Sequence, residues 1–325
     1  SMNIYNGGKD HLQEQRQELS TARKQSEVKI VIAEELGKAR ELFWKILYLA
    51  KEIELLETME KLNEKNLKAA QRRVKSGVAT PSDRLEFAMK RLDLKRSLKQ
   101  AEVEKTVMSY DLLVHLGYET DEPLKIEGEL KHVDEWEQEL QHTHKDHEFF
   151  VKPSELLVEE LKVQKLQKQR AWTPQLDLYA GWYQWNQREE DPVEERERQE
   201  STVGLKLTMN LFDGFSSPKE AQALGAEAQA AMAQSLFYKR KNEAHIEKEF
   251  LELKSLHDQV HEAEQHIAMA EKYYRATQSE YVRGAKNSPD VLGATERLES
   301  VKRQRNQLVR NFHIARSHVL SKIGK

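Results

Sequence analysis

The chain repeats itself once, and that repeat limits its possible folds more than any motif does. Met2-Asn3-Ile4-Tyr5-Asn6-Gly7 returns as Met209-Asn210-Leu211-Phe212-Asp213-Gly214. The offset of 207 residues (209 against 2) then holds without a gap. Phe43, Ile46 and Leu49 match Phe250, Leu253 and Leu256, and Lys65 and Ala69 match Lys272 and Ala276. Gly77, Asp83 and Leu85 match Gly284, Asp290 and Leu292, and Leu116-Gly117 matches Ile323-Gly324. A fixed internal period means one structural unit used twice, each copy burying its apolar side against the other.

Within each copy the pattern is the same. A short strand end closes on a Gly turn. A long polar helix follows, over about 10–75 and 217–283, roughly 100 Å if unbroken. Gly77-Val78-Ala79-Thr80-Pro81 and Gly284-Ala285-Lys286-Asn287-Ser288-Pro289 then predict tight turns, because Gly suits the end of one helix and Pro the first turn of the next. Return helices are expected over 82–117 and 289–323. Leu85, Ala88, Leu92, Leu98 and Ala101 supply an apolar stripe at helical spacing. The fold class is therefore mainly α, built of long antiparallel coiled-coil hairpins in two repeats. Composition agrees: 33% charged, 38% hydrophobic, and only 13 Gly and 7 Pro in 325 residues, as long helices with narrow seams require.

The expected divisions are 1–117 (first repeat, tip turn 77–82), 118–152 (connector), 153–174 (helix), 175–214 (β-hairpin, loop 186–201) and 215–325 (second repeat, tip turn 284–289). Pro153-Ser154-Glu155 should open the helix of the third division and Pro174 should end it. In the hairpin, Leu176, Leu178, Ala180 and Trp182 alternate with polar residues. Val203, Leu205, Leu207, Met209 and Leu211 alternate with Gly204, Lys206, Thr208 and Asn210. Such alternation suits a half-buried soluble strand and equally a barrel strand with lipid on one side and water on the other. The apolar positions span roughly 25 Å, the height of an outer-membrane apolar band. Trp182, Tyr183 and Trp185 sit where an aromatic girdle would lie.

Other classes are excluded or disfavoured. No stretch of 18 apolar residues encodes a transmembrane helix. A net charge of −3 gives no general attraction to nucleic acid, and the absence of Cys removes disulfide and thiolate chemistry. No phosphate loop, nucleophile elbow or catalytic carboxylate pair is present, so neither catalysis nor a cofactor is expected. His142, His144, Asp146 and His147 offer metal-ligand chemistry, but their spacing fits no standard site and Lys145 repels a cation, so no metal is expected. Arg72, Arg73 and Lys75 complement a helix C-terminus. Trp44, Trp136 and Trp172 are expected to serve packing.

Taken together, Pro174-x-Leu176-x-Leu178, the strand end Leu207-Thr208-Met209-Asn210-Leu211-Phe212-Asp213-Gly214, and the turns Tyr281-x-x-Gly284-x5-Asp290-x-Leu292 and Gly77-x5-Asp83-x-Leu85 resemble the TolC-type outer-membrane efflux proteins. The resemblance covers nearly the whole chain. It implies a homotrimeric conduit, with a membrane β-barrel to which this β-hairpin contributes and a periplasmic α-barrel of helical hairpins. It also implies a periplasmic adaptor and an inner-membrane transporter as partners, in efflux or type I secretion. Against the family's two full repeats, about 90 residues ahead of the first copy, holding a helix and a first β-hairpin, are expected to be missing. No signal peptide is expected in this sequence, since Ser1-Met2-Asn3 lacks a basic start and an apolar core, and Ser1 reads as a cloning remnant. The family places an acidic ring at its constriction, which implies a selectivity role for Asp290. A second acid common three residues on is Gly293 here. The resemblance further implies closed-state links among Tyr281, Asp83, Lys286 and Ser82, and adaptor-docking tips at Gly77, Val78, Gly284 and Ala285. Asp83 and Asp290 have a plainer alternative role as first-turn acids of their helices. The rival to the whole reading is a soluble coiled-coil scaffold or adaptor whose strands form a small sheet.

Overall fold

The computed structural model describes residues 1–119, 124, 126–141, 148–187 and 196–322. In chain order the elements are β1 (Met2–Tyr5), α1 (Lys9–Lys75), α2 (Pro81–Leu116), α3 (Trp136–Gln141), α4 (Glu148–Gln169), β2 (Gln175–Gln187), β3 (Arg196–Thr208), α5 (Ser216–Val282) and α6 (Ser288–Lys322). A 3-10 turn, Arg170–Trp172, joins α4 to β2. The repeat survives residue for residue: α1 and α5 are each 67 residues long, and both start and both end at the sequence offset. The mainly α class, the two helical hairpins and the β-hairpin follow the expectation.

Two units divide the chain, and α1 and α5 contribute to both. The first comprises Ser1–Lys29 and Glu148–Lys241. Its helices meet through buried Leu12, Val151, Val158, Val163, Ala221 and Ala228. Polar ties sit among them: Arg23 donates to Glu160 at 3.1 Å, and the hydroxyls of Ser154 and Ser235 lie 3.0 Å apart. Helix α4 begins five residues before Pro153, which lies inside it. Proline removes one ladder donor there, and the Ser154 hydroxyl bonds back to the Val151 carbonyl at 2.7 Å.

The sheet of this unit has the order β1-β2-β3, antiparallel throughout. Leu176 faces Leu207, Leu178 faces Leu205, Ala180 faces Val203, and Met2 faces Leu178. Directly opposed residues share a face, so the apolar residues of all three strands are gathered on one side. Asp177, Lys206, Tyr179 and Thr202 hold the other, where Asn3 donates to Asp177 at 2.8 Å. Among the described residues of the unit no element covers the apolar face: Val203, Leu205 and Leu207 are 77%, 64% and 69% exposed. The strands reach further into the polar linker than expected, and β3 stops at Thr208 instead of Phe212, because its partner β2 begins opposite, at Gln175. The equivalent residues of the first copy do form a strand, β1, on the free edge of β2.

The second unit comprises Ile30–His147 and Asn242–Lys325. Its core is a series of apolar layers between the two hairpins. Near the turns, Leu67, Ala70, Phe87, Tyr274, Val291 and Leu298 come from all four helices. Leu55, Leu56, Met59, Leu94 and Ala101 join α1 to α2. Further along, Trp136, Leu140, Leu253, Phe312 and Val319 bury α3 against α5 and α6. Trp136 and Trp44 are thus packing residues: the first is 2% exposed, and the second stacks on His313 at 3.6 Å between ring centres. Helix α2 carries a second seam on its outer side. Leu85, Met89 and Leu92, and after a gap of about three turns Val103, Val107, Tyr110 and Val114, recur at spacings of three and four, and all are exposed.

Candidate functional site at the hairpin tips

Two helix ends and two helix starts make this site, all in the second unit. Each outgoing helix ends on a left-handed glycine, Gly77 at φ +73° and Gly284 at φ +84°. The reversed hydrogen bonds of a Schellman end follow: Val78 N–H reaches the Arg73 carbonyl at 2.9 Å, and Ala285 N–H the Glu280 carbonyl at 2.9 Å. A side chain in this backbone region costs about 1–2 kcal/mol, which is why both copies keep Gly. Gly77, Val78, Gly284 and Ala285 are all exposed, and nothing lies within 4 Å of the side-chain direction of either glycine.

The return helices start on acids that fold back onto their own caps. Asp83 accepts from the Thr80 N–H at 2.8 Å and the Thr80 hydroxyl at 2.9 Å. Asp290 accepts from the Asn287 N–H at 2.9 Å. Each satisfies the backbone N–H of the residue that caps its helix, as the acid of a capping box does. The first-turn role weighed for both acids is therefore present in the structure.

Tyr281 and Asp83 do not touch directly but share Ser288. The Tyr281 hydroxyl lies 3.3 Å from that of Ser288, and both residues are buried. Burial works against ionisation of Asp83, but the amide and hydroxyl of Thr80 and then those of Ser288 outweigh it, holding the carboxyl below its ordinary range. Arg73 completes the cluster. Its Nη1 donates to the Tyr281 carbonyl at 2.6 Å, and its guanidinium lies over the Tyr281 ring at 4.2 Å. A longer contact of 3.5 Å reaches the Lys286 carbonyl. Among the described residues no hydrogen bond joins Lys286 to Ser82 within one chain. Behind the tips, Asn63 donates to the Phe87 carbonyl at 2.9 Å. Lys90 and Arg303 bracket Glu299 at 3.1 and 2.9 Å.

Sequence reasoning missed Arg73 and Ser288. Arg73 sat in a basic tract at a helix end, where the dipole already explained it. Ser288 read as one letter of a turn. Their signal is the repeat itself, which sets the end of α1 beside the end of α5. His142, His144, Asp146 and His147 lie outside the described residues. Gly293 faces open space, with nothing within 4 Å.

The family described as outer membrane efflux protein matches residues 152–325, more than half of the chain. Its members are channel proteins and not enzymes. No curated protein matches the chain in sequence. Among solved structures, the outer membrane protein VceC of Vibrio cholerae superposes at a TM-score of 0.81 with 15% identity, over 98% of this chain and 77% of that one. The open state of the MtrE outer membrane channel of Neisseria gonorrhoeae gives a TM-score of 0.78 at 10% identity, over 98% and 72%. The CmeC outer membrane channel of Campylobacter jejuni gives 0.76 at 10% identity, over 98% and 68%. At such identities the likeness is one of fold.

Proposed function

The chain belongs to the outer membrane efflux protein family, and on that premise we propose that it is one subunit of a trimeric TolC-like conduit for efflux or type I secretion. Its strands meet outer-membrane lipid and most of its helical residues lie in the periplasm. Solutes pass through the shared lumen unchanged.

The observation that carries this reading is the pair of apolar surfaces that the chain leaves uncovered. The sheet exposes a face of Leu, Val and Trp that no described element of its unit shields. Exposed apolar patches of this kind mark membrane or protein contact. None of the described helices is long and apolar enough to cross a membrane, so on this reading the strands alone meet lipid. The outer seam of α2 has coiled-coil spacing and, among the described residues, no partner helix, which suits packing against the next copy around a ring. A soluble scaffold would have to hide the sheet face from water, and none of the described residues of its unit does so.

The tips form the end that docks the periplasmic adaptor and, through it, the inner-membrane transporter. Their exposed Gly77, Val78, Gly284 and Ala285 allow close approach of another backbone. Asp290, repeated around a threefold axis, makes a cation-favouring ring. The Tyr281–Ser288–Asp83 chain and Arg73 fix the hairpins in one arrangement, and Lys286 and Ser82 are left for a neighbouring copy.

The test is envelope fractionation of the native protein with cross-linking. The reading expects a trimer in the outer-membrane fraction, and its loss in Val107→Asp, which sets an unpaired charge in the seam. Recovery of a soluble monomer would overturn it.

A further inference from the structure

We propose that His132, Asp134, His257 and His261 form a divalent transition-metal site that takes zinc and fastens the connector to α5. The proposal goes beyond the conduit reading and does not depend on it.

The four groups come from two places. His257 and His261 are one turn apart on α5, so both rings leave the same side of the helix. His132 and Asp134 stand two residues apart in the connector, just ahead of α3. Trp136 fixes that approach, buried at 2% and set against Phe250 and Phe312 at 6.0 and 6.1 Å between ring centres. One ligand atom from each of the four residues lies within 4.8 Å of all the others. His132 Nε2 is 2.8 Å from His257 Nδ1 and 3.6 Å from Asp134 Oδ1, and His261 Nε2 is 3.4 Å from the same oxygen. A tetrahedral zinc ion with bonds of about 2.0–2.1 Å holds its ligands about 3.3 Å apart. The observed separations bracket that value, so small ring rotations complete the cage.

Hydrogen bonding alone does not explain the convergence. Among the described residues Nδ1 of His132 is buried without a partner, which leaves Nε2 as the ring nitrogen that faces the cluster. That nitrogen faces both a second imidazole nitrogen and a carboxylate oxygen. A single proton on it satisfies one of them, whereas a cation in the centre satisfies all. The donor set, three imidazoles and one carboxylate, is that of zinc and its neighbours among divalent ions, and the four-ligand count with tetrahedral spacing favours zinc. One side of the site is closed: the His132 side chain is 6% exposed and its ring meets that of Phe312 at 4.6 Å. The other is open, with Asp134 and His261 at 70% and 47%, so an ion has a way in.

The sequence offered these residues only as separate letters. His132 and Asp134 are more than a hundred positions from His257, and the histidines that stood together in the sequence were others.

The experiment is zinc titration of the chelator-stripped full chain against a chromophoric competitor, with cobalt(II) as spectroscopic probe. One zinc per chain and a four-coordinate cobalt spectrum are expected. Outer partners of a metal ligand are worth about 10–100-fold in affinity, and a direct ligand at least that. His257→Gln with His261→Gln should therefore weaken zinc by at least about a hundredfold. Asp134→Asn, a change at an exposed position that leaves the fold alone, should weaken it by at least about tenfold. Replacing His142, His144 and His147 with Ala should leave affinity unchanged. Zinc should raise the melting temperature of the wild type and not that of the double variant, while in chelator the two should melt alike. No saturable uptake by the wild type, uptake unchanged in the double variant, or uptake lost only with His142, His144 and His147 would each overturn the assignment.

Discussion

Arg73→Ala should loosen the hairpin tips without unfolding the rest. The guanidinium makes two contacts with the end of α5: a 2.6 Å hydrogen bond to the Tyr281 carbonyl and a position 4.2 Å over the Tyr281 ring. A hydrogen bond from a charged donor contributes about 1.5–3 kcal/mol, and a partly exposed cation over a ring about 0.5–1 kcal/mol. Arg73 is half-buried, so water replaces part of what is lost, and about 2 kcal/mol is the expected local cost. That corresponds to roughly thirtyfold faster amide exchange in the segment around Tyr281 to Val291. Hydrogen-exchange mass spectrometry reads it directly. Arg72→Ala is the control, because that residue is exposed and, among the described residues, its side chain makes no hydrogen bond or ion pair across the hairpins. Exchange in Arg73→Ala within about threefold of Arg72→Ala would refute the cross-hairpin role.

Three further outcomes follow from other parts of the structure. Gly284→Ala should lower stability by about 1 kcal/mol through its left-handed backbone, whereas Gly293→Ala, in a helix and facing open space, should raise it by up to about 1 kcal/mol. Thermal melts separate the two. His313 is buried, and burial pushes its imidazole down to about 4 against the Lys131 carbonyl bond that opposes the shift. The unfolded chain therefore binds the proton first: the stability is complete above pH 6.5 and is lost as pH falls to 4, by about 3 kcal/mol. In chelator, the acid transition of His313→Phe should lack that dependence. Asp290→Ala should reduce cation preference in reconstituted channels, and unchanged selectivity would remove Asp290 from the gate.

Much of the fold was legible because a repeat leaves few choices. Once Met2 and Met209 were aligned, each helix boundary in one copy predicted its twin, and α1 and α5 came out equal in length. The alternation in β2 and β3 gave the two faces of the sheet. It did not give their ends, which depend on where the partner strand begins, as at Gln175. Pro153 misled: proline suits the first turn of a helix, yet here it stands in the second turn of α4 and forgoes one ladder hydrogen bond. At the tips the residue types were legible as turn and cap chemistry. What joined them was not: Ser288 stands between Tyr281 and Asp83 only because four helices converge there. The same holds for His132 and His257, which local spacing never brings together.

The central claim is that copies of this chain make a conduit through the outer membrane. Single-channel recording of the native protein, purified from its own envelopes into planar bilayers, tests it most directly. Trimers that conduct with a preference for cations are expected, with no conducting species from Val107→Asp. A native protein that is soluble, monomeric and silent in the bilayer would contradict it.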